Sequence, residues 1–337
     1  SNLAQAQLPL LFVGPPAPDV AAMTQVGNAR GGPTARELTL CMHGIVQRCA
    51  GHQKLCLARV DLTHRQQMYG WLQHAMQCMS GCPWVTDELF HRTVFLFDGY
   101  CGAAAHPVAG SRLQGLLLAS FGIGIKLGVL EHLTVSLRAL LPRLVRNSIT
   151  FEELREIEVD ILNATQFEVS SPTAYEMMTS MSVSLLQLAS RSSPSWSGFD
   201  TRHSQSLAMQ GSLPRVRFSV AAEFAISMFL TSPEKFYAFD SSVVAAAALV
   251  WATSVLKAPG EIVDLLAAEL SACEESGSLQ DKFRPTVVDA VLEMHSCLSE
   301  LSPAVSRSFA LTYSQESRFS VWSLALEPPA EIPFELI

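Results

Sequence analysis

DLTHRQQMYGWL (61–72), TDELFHRTVFLFDGY (86–100), LQGLLLASFGIGIKLG (113–128) and ITFEELREIEVDILNATQF (149–167) follow one another with short breaks, and their order decides the fold. Each carries apolar residues at helical spacing. In the first, Met68, Trp71, Leu72, Ala75 and Met79 mark a stripe over about His64 to Met79, ended by Gly81 and Pro83. Thr86 and Asp87 start a second helix carrying Leu89, Val94 and Phe97. The third is apolar on all faces from Leu113 to Gly128, the pattern of a helix surrounded by others. A fourth lies near Leu133 to Val145, and Thr150 with Glu153 forms a capping-box pattern that opens a fifth.

Outward from this block, SSPT (170–173) reads as a linker, and helical patterns resume from Ala174 to about Leu301. There FDSSVVAAAALVWATSVL (239–256) occupies the place that Leu113 to Gly128 holds in the first half. The two halves read as an internal duplication at a spacing of about 130 residues. Residues 191–213, rich in Ser and Gly, read as an exposed loop inserted in the second half. Before the block, Thr34 to Cys49 has the signals of one amphipathic helix. The expected division is a segment 1–60 with a helix, a first fold 61–170, a second fold 171–301 and an extended tail 302–337.

Composition agrees with buried aliphatic helices. The 337 residues suffice for two domains, each with its own core, and are 49% hydrophobic but only 16% charged. A net charge of −8 gives no general attraction to phosphate backbones, which disfavours nucleic acid as partner. Cys41, Cys49, Cys56, Cys78, Cys82, Cys101, Cys273 and Cys297 form no framework and fit reduced thiols in an intracellular protein. The opening SNLAQAQLPLLFVGPPAPD lacks a basic n-region, and its apolar run from Leu8 to Val13 is too short for a secretory signal. Leu113 to Leu130 and Val243 to Leu256 read as core helices rather than membrane spans, on length and on the polar residues in the first.

Catalytic and metal motifs find no support. G-x-S-x-G, H-E-x-x-H and the P-loop are absent, and Gly122, Gly124 and Gly128 fit close helix contact better than a phosphate loop. His74, Cys78 and Cys82 are spaced i, i+4, i+8, but Gly81 breaks the helix before Cys82 and no fourth ligand is placed, so no metal or cofactor is assigned.

The order and spacing of these elements resemble the cyclin family, its mitotic A/B-type members in particular, over roughly residues 34–330. The second half is similar at the SS-x-x-AAAA stretch, and the tail SRSFALTYSQESRFSVWSLALEPP (306–329) resembles the segment that closes these proteins. The resemblance implies an all-α chain of two tandem five-helix cyclin folds. It also implies a non-catalytic regulatory subunit, in nucleus or cytoplasm, that binds and activates a cyclin-dependent serine/threonine kinase in cell-cycle control. By the same resemblance Lys126 and Glu158 hold backbone groups of the kinase, Phe167 packs against its C helix, and Leu127 and Leu162 flank that contact. Charge-assisted bonds from one cation and one anion suit backbone carbonyls and N–H groups that an interface must satisfy. Arg65 and Asp98 match a structural ion pair that pins the first helix to the second.

Departures from the family pattern accompany the likeness. Lys126 is followed by Leu-Gly-Val-Leu-Glu where the family has K-F/Y-E-E, so the nearest acid is Glu131 and the kinase contact differs locally. Met68, Trp71, Leu113 and Gln114 fall on the groove through which the family takes R-x-L segments of kinase substrates or inhibitors. His64, however, replaces an apolar residue there, and His74 replaces the carboxylate that would pair with the peptide arginine, which argues against R-x-L docking. Arg138, Arg143, Arg146 and Arg155 form a basic cluster, either a solvated face or a contact for an acidic or phosphorylated kinase segment. Two other uses of the chain remain open: an adaptor or transcription-factor core of the same fold that activates no kinase, and a helical enzyme with a buried ligand.

Overall fold

The computed structural model describes residues 60–79, 82, 84–104, 106–128, 137–192, 213–258, 260–275, 283–301 and 303–313. Every regular element among them is a helix: α1 (Leu62–Cys78), α2 (Asp87–Ala103), α3 (Gly110–Gly128), α4 (Leu137–Leu144), α5 (Phe151–Ala164), α6 (Ala174–Ser192), α7 (Leu213–Phe229), the single turn α8 (Pro233–Phe236), α9 (Ser241–Val255), α10 (Gly260–Glu275), α11 (Phe283–Glu300) and α12 (Pro303–Tyr313). None of the described helices is long and apolar enough to cross a membrane.

Helix starts follow local chemistry. Asp61 caps α1 by accepting from the backbone N–H groups of Thr63 and His64, and these bonds hold its carboxyl below the usual range. Thr86 caps α2. At α5 the Thr150 hydroxyl accepts from the Glu153 N–H while the Glu153 carboxylate accepts from the Thr150 N–H, the reciprocal pair that the T-x-x-E pattern predicts.

Each half wraps around its third long helix. Helix α3 packs against α1, α2, α4 and α5, and α9 packs against α6, α7, α10 and α11, so the same five-helix arrangement occurs twice, as the duplicated pattern implies. What permits this is the absence of bulk where neighbours come close. A Cβ on Gly124 would lie 2.9 Å from the Leu89 side chain of α2, and one on Gly122 would lie 3.0 Å from both Leu141 of α4 and the Glu158 carboxylate of α5. In α9, Ala245 to Ala248 serve the same end, at 0%, 2%, 0% and 0% exposure.

Buried polar bonds join the halves. Tyr69 of α1 donates to the Ser227 carbonyl of α7 at 2.6 Å, and Tyr237, just after α8, donates to Asp98 of α2 at 2.8 Å. The His91 ring stacks on Tyr175 at 4.6 Å. Beside it, Arg92 of α2 donates to the Val169 and Ser171 carbonyls and pairs with Glu176 of α6, tying down the 170–173 linker.

The fourth helix is described over Leu137–Leu144, and the start expected at Leu133 lies outside the described residues. The expected extended tail begins as a helix: α12 packs on α1 through a Gln77–Thr312 side-chain bond and inserts Phe309 and Tyr313 against Phe224. Its apolar Val305, Phe309 and Tyr313 recur at i, i+4, i+8, so one face is buried and the segment gains more from a helix than from an extended path. The helix expected at Thr34 to Cys49, most of the 191–213 insertion and residues 314–337 lie outside the described residues.

Candidate protein-docking face

Helix α5 turns Leu154, Glu158 and Ile161 inward at i, i+4, i+7, which puts a carboxylate in an otherwise apolar stripe. A buried carboxylate is costly without a partner, and the partner is Lys126 at the end of α3. Its Nζ lies 2.7 and 2.6 Å from the two carboxylate oxygens, in the space that Gly122 leaves open. The lysine side chain is 38% exposed and that of Glu158 11%, so the pair sits at the rim where α3 and α5 meet, with donor and acceptor capacity still facing outward. The resemblance gives each of these residues a bond to a partner's backbone; in the unbound chain they hold each other.

Exposed apolar side chains lie close to this pair along the chain. Leu127, next to Lys126, is 48% exposed, Val159, next to Glu158, is 55% exposed, and Phe167, beyond the end of α5, is 65% exposed. Leu162 lies one turn on from Val159, half-buried against the core. Two further exposed large apolar residues, Val183 and Leu292, belong to the second half. Val159 was missed in the sequence because an alternating charged and apolar run, EIEVDIL, does not reveal which of its apolar residues faces out.

The Arg65 and Asp98 side chains, 1% and 0% exposed, join α1 to α2 by two bonds: Nε donates at 2.8 Å and Nη2 at 2.6 Å. Burial would lower the guanidinium pKa, but the Asp98 charge and the two bonds outweigh it and the net shift is upward. Tyr237 shares the same carboxylate, and burial first, then the Asp98 charge, raises its phenol well above the ordinary value, so it remains a donor.

The expected peptide groove is only partly surface. Met68, Trp71 and Gln114 are half-buried, but Leu113 is 1% exposed and belongs to the core of α3, so it offers a peptide no contact. His64 rests over Gly110 and pairs with Asp61 at 3.0 Å, while exposed His74 lies 3.8 Å from the Cys78 sulfur. Among the described residues no group of three His, Cys, Asp or Glu is placed to hold a metal ion. In the basic cluster Arg138 pairs with Glu152 at 3.0 Å, both exposed, and Arg143, Arg146 and Arg155 are also on the surface.

Among the described residues the chain is all-helical, with two five-helix units and exposed apolar side chains near the Lys126–Glu158 pair of the first. Among solved structures the chain is similar to the X-ray structure of a viral cyclin from herpesvirus saimiri, at 15% identity, with 85% of this chain and 96% of that one covered and a TM-score of 0.46. No protein-family model and no curated protein matches the chain.

Proposed function

We propose that the chain is a cyclin-like, non-catalytic regulatory subunit that binds a cyclin-dependent protein kinase through the face formed by α3 and α5, in cell-cycle control. The observation that carries this reading is the exposure of Leu127 and Val159, chain neighbours of the paired Lys126 and Glu158, and of Phe167 beyond the end of α5. Large apolar side chains left exposed near a charged pair suit a protein interface better than a solvated surface. The resemblance in element order, and at Lys126, Glu158 and Phe167, supports a kinase as the kind of partner. Activation follows if the chain binds the active kinase arrangement preferentially and so shifts the kinase population toward it.

Capture of the chain from its own cell extract, with identification of the bound kinase, tests the reading. Lys126→Ala and Glu158→Ala should each weaken that kinase's binding by about 2–5 kcal/mol without unfolding the chain, though each also lowers the melting temperature by breaking the Lys126–Glu158 pair. A kinase that binds both variants as tightly as the parent contradicts the assignment of the face. A kinase that binds but gains no activity makes the chain an adaptor instead.

A further inference from the structure

The turn that presents Phe167 has an unusual backbone. After α5 the Gln166 N–H donates to the Asn163 carbonyl at 3.2 Å and the Phe167 N–H to the Leu162 carbonyl at 2.8 Å, the paired bonds of a Schellman helix end. This end requires a left-handed residue, a place usually taken by Gly. Here Gln166 adopts φ 53°, and Phe167 itself follows at φ 62°. Two other helices end in the same way. Arg146 (φ 53°) and Asn147 (φ 57°) close α4, and Lys257 (φ 50°) closes α9 before Ala258. Asn tolerates this region, but a large aromatic residue adopts it only when its surroundings hold it there. Of these positions Phe167 is the one apolar residue with positive φ, and at 65% exposure no core packing of its ring explains it.

We infer that Gln166 is a positioning residue for partner binding: its left-handed backbone, rather than its side chain, sets Phe167 beside Leu162 at the end of the docking face. The motif brings together the residue after the left-handed one and the residue five positions before it, here Phe167 and Leu162. With Gln166 at negative φ the chain leaves α5 in another direction and the aromatic ring leaves the face, though no side chain of that face has changed. This inference rests on the kinase-binding reading above and adds a residue that the resemblance does not assign.

The experiment measures the affinity of the purified kinase, identified by capture with the parent chain, for Gln166→Gly, Gln166→Asn, Gln166→Ala, Gln166→Val and Phe167→Ala, with the melting temperature of each variant. Affinity should follow the ease of positive φ. Gly and Asn bind within about twofold of the parent or tighter, Ala is weaker, and Val is weakest, about tenfold down if its turn forms one time in ten. The Gly, Asn and Ala variants carry the test alone if the Val variant does not fold. Weak binding by Gln166→Gly and Gln166→Asn alike would mean that the glutamine side chain makes the contact, and it overturns the inference. Parent-like binding by Gln166→Ala and Gln166→Val, with Phe167→Ala weak, overturns it while leaving the docking face intact. Parent-like binding by Phe167→Ala overturns the inference and leaves the face to be judged by the Lys126, Glu158 and Leu127 variants.

Discussion

Replacing Asp98 by Ala should be among the most damaging single changes in the first half. The carboxylate is 0% exposed and accepts three bonds, from Arg65 Nε, Arg65 Nη2 and Tyr237 Oη, at 2.8, 2.6 and 2.8 Å. Its removal leaves a buried guanidinium, whose Nη1 has no partner among the described residues, without the carboxylate that balances its charge. Breaking such a pair costs about 3–5 kcal/mol. The Tyr237 hydroxyl, stranded with it, adds up to about 1–3 kcal/mol, less whatever relaxation recovers. Against a typical total of about 5–15 kcal/mol this is a large share. At about 2–4 °C per kcal/mol, the figure for domains of 150–250 residues, the ion pair alone should lower the melting temperature by roughly 6–20 °C. Calorimetry or helical circular dichroism on the parent, Asp98→Ala, Arg65→Met and the Arg65→Met/Asp98→Leu pair gives the full cycle. The double variant should recover most of the loss, because an apolar pair of similar volume needs no charge compensation. A single variant melting within about 1 °C of the parent, or a double variant losing the sum of both singles, would refute the reasoning.

Other outcomes follow from the same geometry. Ala246→Leu and Ala247→Leu should each lower stability by about 1–3 kcal/mol in thermal melts, because α9 is enclosed on all sides; parent-like melting of both would contradict the enclosed helix. R-x-L peptides should bind weakly or not at all near neutral pH, since His74 supplies no carboxylate and Leu113 no surface; tight calorimetric binding lost in Trp71→Ala would reverse this. Tyr237 has a raised pKa in the fold, so its contribution is complete below the unfolded value of about 10 and is lost as pH rises through the folded value. The stability gap between the parent and Tyr237→Phe in urea titrations should therefore narrow above pH about 10, and a constant gap would exclude the coupling.

How much of this was legible in the sequence depends on the range of the interaction. The central helices were, because Leu113–Gly128 and Val243–Leu256 are apolar all round and a helix of that kind is stable in water only when enclosed. The Thr150–Glu153 cap was legible because it spans three residues. The Arg65–Asp98 bond was reached only through the family resemblance, since residues 33 positions apart have no local signature. Lys126 and Glu158 were found in the same way, but as separate contacts; that they bond to each other depends on the small residue Gly122 between them. The tyrosine bonds from Tyr69 and Tyr237 cross between the halves and had no signal. Nor did the left-handed end of α5, because Gln166 stands where a Gly would have announced it.

The central claim, that the α3/α5 face receives a kinase, is tested most directly at a residue whose change leaves the fold alone. Leu127 is 48% exposed and next to the ion pair, so Leu127→Asp removes apolar contact and introduces an unpaired charge at the interface without disturbing the core. Calorimetric titration of the captured kinase into the parent and into Leu127→Asp, with melting curves to confirm equal stability, is the measurement. The account predicts a loss of at least about 2 kcal/mol, roughly thirtyfold, as for a central interface residue. A dissociation constant equal to the parent's would contradict it.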